Sequence, residues 1–199
     1  MNQENYQENL PYPTNLESMT AKAGARIAAS IVDMIVRFIV TIPLGIIIAP
    51  AIIEYMNEYM DQVMSGNLVT LDFAFLAKYQ LLIMLYTLVV SLVIQYLIPV
   101  LTKGRTIGKM ALGLRIISDE GEYASPSKLF IRSTIYVVAP LLQYVPIIGD
   151  WLSTIITIVW VVSFIFLFTD QKHQTVHDKY SRCLVVYDNL YQAQNQGRI

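Results

Sequence analysis

The feature that most constrains this chain is a long run of residues without a single charge, 79–102, which is followed by a second uncharged run at 151–169. At about 1.5 Å of rise per residue, a helix of either length spans most or all of the roughly 30 Å hydrocarbon core of a bilayer. A soluble helix would carry charges along its exposed face. The composition agrees, with only 15% charged residues against about 25% in typical soluble proteins. The runs therefore predict membrane-spanning helices.

Two further segments are candidates for spans. Residues 27–53 are apolar except for Asp33 and Arg37, and residues 133–149 form a shorter segment that contains two prolines. A Gly-Asp pair separates this segment from the run that follows, which favours a tight helical hairpin, with a re-entrant or interfacial segment as the alternative. The predicted fold is an all-α transmembrane four-helix bundle with spans at 27–53, 79–102, 133–149 and 151–169.

The segments between the spans also carry structure. The apolar residues of 55–64 recur at helical spacing and predict a helix along the outer surface. Ile107, Met110, Ala111 and Leu114 keep the same spacing and predict a cytoplasmic amphipathic helix at the inner headgroups. The β-branched runs 115–118 and 183–187 predict a small pair of strands.

The ends of the chain and the distribution of basic residues predict its orientation. Residues 1–20 are polar and contain two prolines, so we expect a disordered cytoplasmic tail, and 188–199 a polar C-terminal tail, around a membrane domain at 21–187. Lysine and arginine concentrate near the first span, in 103–132 and after the last span. The positive-inside rule then predicts a multi-pass protein of the cell membrane with both termini in the cytoplasm. A net charge of -1 gives no support to a nucleic-acid partner.

A polar stripe marks the first span. Arg26, Ser30, Asp33 and Arg37 are separated by four, three and four residues, so they share one helical face. A charge at membrane depth costs about 3 kcal/mol, so Asp33 is expected to pair with Arg26 or Arg37. An intramembrane carboxylate is a candidate for proton or cation handling. The alternative is that Arg26 reaches the inner headgroups while Asp33 and Arg37 form a structural ion pair.

Other motifs do not support catalysis or metal binding. The segment 104–110 has three residues between its glycines where a phosphate-binding loop has four. His173 and His177 have the spacing of a zinc helix but lack its glutamate, so they are interpreted as a surface pair. Cys183 is interpreted as a small packed residue. We therefore expect no enzyme, no catalytic residues, no metal and no cofactor.

Three ordered segments resemble the RDD family of small bacterial membrane proteins, which is named for one arginine and two aspartates. They are the stretch 23–33 with Arg26 and Asp33, the stretch 104–117, and the stretch 174–178 with the second aspartate. The resemblance covers 21–187 and implies that the residues of the family motifs form a functional site. Those expected on the cytoplasmic side, as a latch or as part of the motif, are Gly104, Thr106, Gly108, Lys109, Arg132, His177 and Asp178.

Two functions follow as hypotheses. The first is a transporter, with the cation/proton exchange that is attributed to some family members, in which Asp33 carries the proton or cation and Asp178 with Arg132 forms an inner latch. The second is a non-catalytic accessory or scaffold protein that binds a partner, or anionic lipid headgroups at the basic cytoplasmic loop. The lipid bilayer is the expected partner in both cases, and because four spans barely enclose a polar pathway, a homo-oligomer or larger membrane complex is expected as well.

Overall fold

The protein is a set of long apolar helices whose shorter connecting elements gather at one end. The structure, a computed structural model, describes residues 16–70, 72–142 and 149–196. The described elements, in chain order, are α1 (Ala23–Met64), α2 (Phe73–Leu101, with a π-helical segment at Val93–Leu97), α3 (Ile107–Ala111), β1 (Leu114–Ser118), α4 (Pro126–Leu142), α5 (Gly149–Thr169), α6 (Val176–Tyr180), β2 (Cys183–Tyr187) and α7 (Asp188–Gln196).

Helix α1 is longer than the sequence analysis predicted. It runs for 42 residues as one helix past Pro43 and Pro50, so the prediction of a separate surface helix at 55–64 is wrong, because that segment continues the same helix. The sequence between Ala51 and Met64 lacks glycine and proline, and nothing in it stops the helix before Gly66, whose φ is +76°. A helix of this length is about twice as long as the hydrocarbon core is thick, so its last turns extend beyond the bilayer.

Three of the described helices are long and apolar enough to cross a membrane: α1, α2 and α5. Helix α4 has 17 residues and begins at Pro126, so the expected span 133–149 coincides only with its C-terminal part. The predicted break at the Gly-Asp pair is wrong, because α5 already begins at Gly149. Glycine and aspartate suit a helix start as well as a turn. Residues 143–148 of the expected span 133–149 lie outside the described residues.

The predicted pairing of two strands is confirmed. Strands β1 and β2 are antiparallel, with Leu114 opposite Tyr187 and Ser118 opposite Cys183. Leu114 therefore belongs to β1, and the prediction that it continues the amphipathic helix is wrong. Helix α3 ends three residues earlier because Gly113, at a φ of +63°, turns the chain into the strand.

Both faces of this small sheet are covered. On one face Leu114, Ile116, Cys183 and Val185 pack with Ala29 of α1. On the other face, Ile117, Leu184 and Val186 of the strands pack with Met19 and Tyr191, two residues that were expected to belong to the tails. Residues 16–19 form a 3₁₀ helix and 188–196 form α7, so the ordered structure extends beyond 21–187 at both ends. The buried Met19 and Tyr191 explain why these polar segments are folded.

Candidate functional site

The site begins where the short helix α3 lies against α1. Thr106 precedes α3 as its N-cap, with its hydroxyl accepting a hydrogen bond from the Lys109 N–H. The next turn approaches α1 so closely that a methyl group placed on Gly108 would lie 2.0 Å from the carbonyl oxygen of Ala29. A glycine is therefore required at this position, since any side chain would separate the two helices.

Asp33 is held by α3. Its carboxylate accepts hydrogen bonds from the Thr106 hydroxyl at 2.6 Å and from the Gly108 N–H at 2.7 Å. The predicted pairing of Asp33 with Arg26 or Arg37 is wrong, because no ion pair joins them in the described part of the chain. Helical spacing brought these side chains onto one face, but α3 occupies that face and supplies the closer donors.

Asp178 is the centre of a second cluster. It is completely buried, and it accepts an ion-paired hydrogen bond from Arg26 and another from Arg132, whose Nε lies 2.8 Å from Oδ1. The Thr175 N–H and hydroxyl donate to the same carboxylate. Arg26 also donates to the His173 carbonyl. The cluster therefore ties α1, α4 and α6 together, and the predicted contact between Asp178 and Arg132 is present.

The charges around Asp178 fix its ionisation. Burial alone would raise the pKa of this carboxyl group, but the Arg26 and Arg132 guanidinium groups outweigh the effect of burial and hold its pKa well below the usual value. Asp178 therefore remains an anion at physiological pH, and it neutralises part of the positive charge of the two arginines.

His177 is buried, with 7% of its surface exposed, so the prediction of a surface histidine pair is wrong. Burial, together with Arg132 and Arg26, lowers its pKa to about 3 despite the neighbouring Asp178. The ring is therefore neutral. Its Nε2 lies 3.4 Å from an Arg132 nitrogen, which can only donate, while its Nδ1 has no hydrogen-bond partner among the described residues. We therefore place the ring proton on Nδ1.

Lys109 is a group of the site whose pKa lies near neutral pH. Its side chain is buried, and burial together with the positive charges of Arg132 and Arg26 lowers its pKa to about 7, although Asp33 and Asp178 act in the opposite direction. Lys109 therefore exchanges its proton near neutral pH, unlike an ordinary lysine.

A cavity of about 290 Å³ opens beside these clusters. Three basic residues line it, Arg26, Lys109 and Arg132, together with His177. Its remaining wall is largely apolar and comes mainly from α1 and α5. Two of the four residues of the predicted polar stripe, Arg26 and Ser30, line the cavity, whereas Asp33 and Arg37 do not.

The residues of both clusters lie within a segment that matches a known family. The RDD family model matches residues 20–182, which is most of the chain. The chain belongs to the RDD family. No curated protein and no solved structure matches it. Proteins of the RDD family are membrane proteins, in agreement with the three spanning helices.

Gly104, another residue of the RDD motifs, serves the fold around the site. A methyl group on Gly104 would lie 2.1 Å from the Ile116 carbonyl oxygen, and the φ of Gly104 is +91°, so this glycine lets the chain pass close to β1. In addition, the Ile116 N–H donates to the Gly104 carbonyl at 2.7 Å. Gly104 therefore has a structural role, and it does not line the cavity.

Sequence reasoning missed Asp188. This residue starts α7, and its carboxylate accepts hydrogen bonds from Arg115 Nε at 2.5 Å and from an Arg105 nitrogen at 3.1 Å. Burial would raise the pKa of Asp188, but Arg115 outweighs it and lowers the pKa. The only sequence signal was an aspartate directly after a β-branched strand, which was assigned to the polar tail.

Proposed function

We propose that this RDD-family membrane protein is a transporter that exchanges a proton on Lys109 for an alkali cation at Asp33. The observation that carries the proposal is a buried lysine next to a buried carboxylate at the junction of α1 and α3. The two groups have opposite charges, and their neighbours bring the lysine's protonation into the physiological range.

The exchange follows from charge balance. When Lys109 is protonated, its ammonium group provides positive charge near Asp33. When the proton leaves, the Asp33 carboxylate loses that compensation, and a cation can take its place among the oxygens of Asp33 and Thr106, which are hard ligands suited to alkali ions. One positive charge replaces another, so we expect the exchange to be electroneutral. Arg26, Arg132 and Asp178 also face Lys109, and their charges stay constant through the cycle.

The Asp178 cluster acts as the inner latch in this proposal. A pathway from the cytoplasm to Asp33 must open between α1, α4 and α6, and the ion pairs of Asp178 with Arg26 and Arg132 join these three helices. The proposed orientation places both termini, α3, the sheet and α6 on the cytoplasmic side of the cell membrane. Assembly into a homo-oligomer stays a prediction.

The test is flux in proteoliposomes. Wild-type protein is reconstituted with a pH-sensitive dye inside, and sodium or potassium is added outside. Asp33→Asn removes the charge while its amide can still accept from Gly108 and donate to Thr106, so the docking of α3 should persist. Lys109→Gln removes the proton site. Asp61→Asn, at an exposed position of the same helix, is the matched control.

We expect cation-driven proton movement in the wild type and in Asp61→Asn, and its loss in Asp33→Asn and Lys109→Gln. Collapsing the membrane potential should leave the rate unchanged, because no net charge crosses. Absence of flux in folded wild-type protein contradicts the proposal, and flux that survives in Asp33→Asn removes Asp33 from the mechanism.

A non-transporting accessory protein is the second candidate. The observation that favours it is that both buried aspartates have their hydrogen bonds satisfied by the protein itself, as expected of groups that only hold helices together. Its partners would be another membrane protein, or anionic lipid at the exposed lysines of the cytoplasmic loop. Neither candidate function includes a covalent step. That the protein is not an enzyme stays a prediction.

A further inference from the structure

The cavity beside the Asp178 cluster has two chemically different ends. At its inner end lie Arg26, Lys109 and Arg132, each less than a tenth exposed. At its other end, Ile31, Met34 and Phe164 are 48%, 64% and 56% exposed. Because these apolar side chains belong to spanning helices, they face hydrocarbon in the bilayer. The cavity is therefore open to the membrane on one side and cationic on the other.

The cationic end carries one net positive charge when Lys109 is protonated. Arg26, Arg132 and Lys109 then supply three positive charges, while Asp178, which pairs with both arginines, and Asp33 supply two negative ones. The donors that hold Asp33, the Thr106 hydroxyl and the Gly108 N–H, are neutral and do not change this balance. Three cationic side chains thus converge on one end of the cavity, and charge-assisted hydrogen bonds from such groups suit an anionic oxygen.

The size and depth of the cavity restrict what this anion belongs to. Its volume of about 290 Å³ is at the lower end of the range for ligand pockets, about 300–1,000 Å³. This is room for a small headgroup but not for an acyl chain, which would have to lie outside along the apolar wall. Arg26 lies in the first turn of α1, the level at which a helix meets the lipid phosphates.

We infer that this cavity binds the phosphate group of an anionic phospholipid, with the lipid's acyl chain lying along Ile31, Met34 and Phe164. The inference does not rest on the proposed exchange. It differs from lipid attraction to the exposed lysines of the cytoplasmic loop because the ligands here are buried and converge on one point. A bound phosphate would also favour the protonated form of Lys109, since an anion beside an ammonium group raises its pKa.

The two tryptophans of the chain allow a direct test. Trp160 lines the cavity, whereas Trp151 is 75% exposed at the other end of the same helix. The Trp151→Phe variant therefore leaves one reporter at the site. We would reconstitute it in nanodiscs and measure quenching of Trp160 by acyl-brominated phosphatidylglycerol and, separately, by acyl-brominated phosphatidylcholine at equal mole fractions.

Two variants in this background test the site. Lys109→Gln removes one cation from the cavity, and Ser30→Phe fills the cavity without changing any charge. Lys22→Gln is the matched control, because Lys22 is an exposed lysine just before α1. Thiol labelling of the buried Cys183 checks that each variant is folded.

We expect the anionic lipid to quench at lower mole fractions than the zwitterionic lipid. Lys109→Gln should raise the mole fraction for half-maximal quenching about tenfold, the effect of one charge-assisted hydrogen bond, and Ser30→Phe should remove the preference. Lys22→Gln should keep it. Equal quenching by both lipids, or a preference that survives Lys109→Gln and Ser30→Phe, overturns the inference. If soluble glycerol phosphate at millimolar concentration displaces the brominated lipid, the site takes a free phosphate ester and the lipid assignment is wrong.

Discussion

The contact between Gly108 and α1 gives the sharpest prediction. A methyl group at Gly108 would lie 2.0 Å from the Ala29 carbonyl oxygen and 3.0 Å from Cγ of Asp33. The oxygen belongs to the backbone of the second turn of α1, so it cannot move aside as a flexible side chain would. The Gly108→Ala variant must instead push the whole of α3 away from α1.

The size of the effect follows from the distances. An ordinary contact between a methyl carbon and an oxygen is about 3.2 Å, so α3 must retreat by more than 1 Å. The hydrogen bonds from Thr106 and Gly108 to Asp33 measure 2.6 and 2.7 Å, and that retreat places both beyond hydrogen-bonding distance. A hydrogen bond to a charged group contributes about 1.5–3 kcal/mol, so the loss is about 3–6 kcal/mol. For a chain of this size that corresponds to a fall of roughly 6–24 °C in melting temperature.

The chain carries its own reporter for this measurement. Cys183 is the only cysteine, it is completely buried in β2, and burial raises its pKa. A maleimide dye that fluoresces on reaction with thiols should therefore label the protein only when it unfolds, and heating purified protein in detergent gives the midpoint. Gly24→Ala is the matched control, because nothing lies within 4 Å of a methyl group at that position of α1.

We expect Gly24→Ala to match or slightly exceed the wild-type midpoint, since alanine is the better helix former. A midpoint for Gly108→Ala within about 2 °C of the wild type would refute the close packing of α3 on α1, and with it the position of Asp33. A low midpoint for both variants would show only that the first turns of α1 tolerate no change.

Three more predictions concern the titratable side chains Lys109, His177 and Asp188. Lys109→Met should stabilise the protein most below pH 7, by about 5 kcal/mol, because a pKa of about 7 means that the folded state holds the ammonium form at a cost. The gain should shrink as the pH rises from 7 towards 10.5, and midpoints from size-exclusion chromatography after heating would show this. The pKa of His177 is about 3 in the folded protein, below the value of 6.5 for an unperturbed histidine, so wild-type protein loses about 1.4 kcal/mol of stability per pH unit as the pH falls below 6.5. His177→Gln should remove this loss. Equal slopes of stability against pH for the two proteins between pH 6.5 and 4.5 would contradict the prediction. Asp188→Asn should destabilise the protein by about 3 kcal/mol, because it leaves the buried Arg115 guanidinium without its anion. The expected result is a lower unfolding temperature in the Cys183 labelling assay, and an unchanged temperature would show that α7 contributes little.

What could be predicted from sequence was mainly local. Uncharged runs predicted the spanning helices, and two β-branched runs predicted the strand pair. Both patterns can be recognised because each is contained in consecutive residues. Helix ends were less certain: α1 continues past residue 53 because the segment up to Met64 has no glycine or proline and contains several good helix formers, among them Glu54 and Glu58. Hydropathy marks where a chain leaves the membrane and does not mark where the helix stops.

The pairing of the site residues could not be read in the same way. Arg26, Asp33 and Arg37 share a helical face, and proximity along α1 suggested that they pair with one another. In the structure Arg26 reaches Asp178, which is 152 residues away in sequence, while α3 supplies the donors for Asp33. Choosing between these arrangements requires knowing which short segment docks on α1. No period or spacing in the chain contains that information.

The spacing of glycine, threonine and lysine in 104–109 has a physical explanation. The segment shares one property with a phosphate-binding loop. Such loops use glycines and N–H groups at a helix start to hold an anion. Here the Gly108 N–H and the Thr106 hydroxyl hold a carboxylate, and the anion is the protein's own Asp33. Threonine two residues before glycine gives the two donors, glycine allows the approach, and the lysine that follows lies within the field of the same carboxylate. The segment is therefore a lock between two helices, and substitutions at Thr106 and Gly108 should affect folding before they affect any transport.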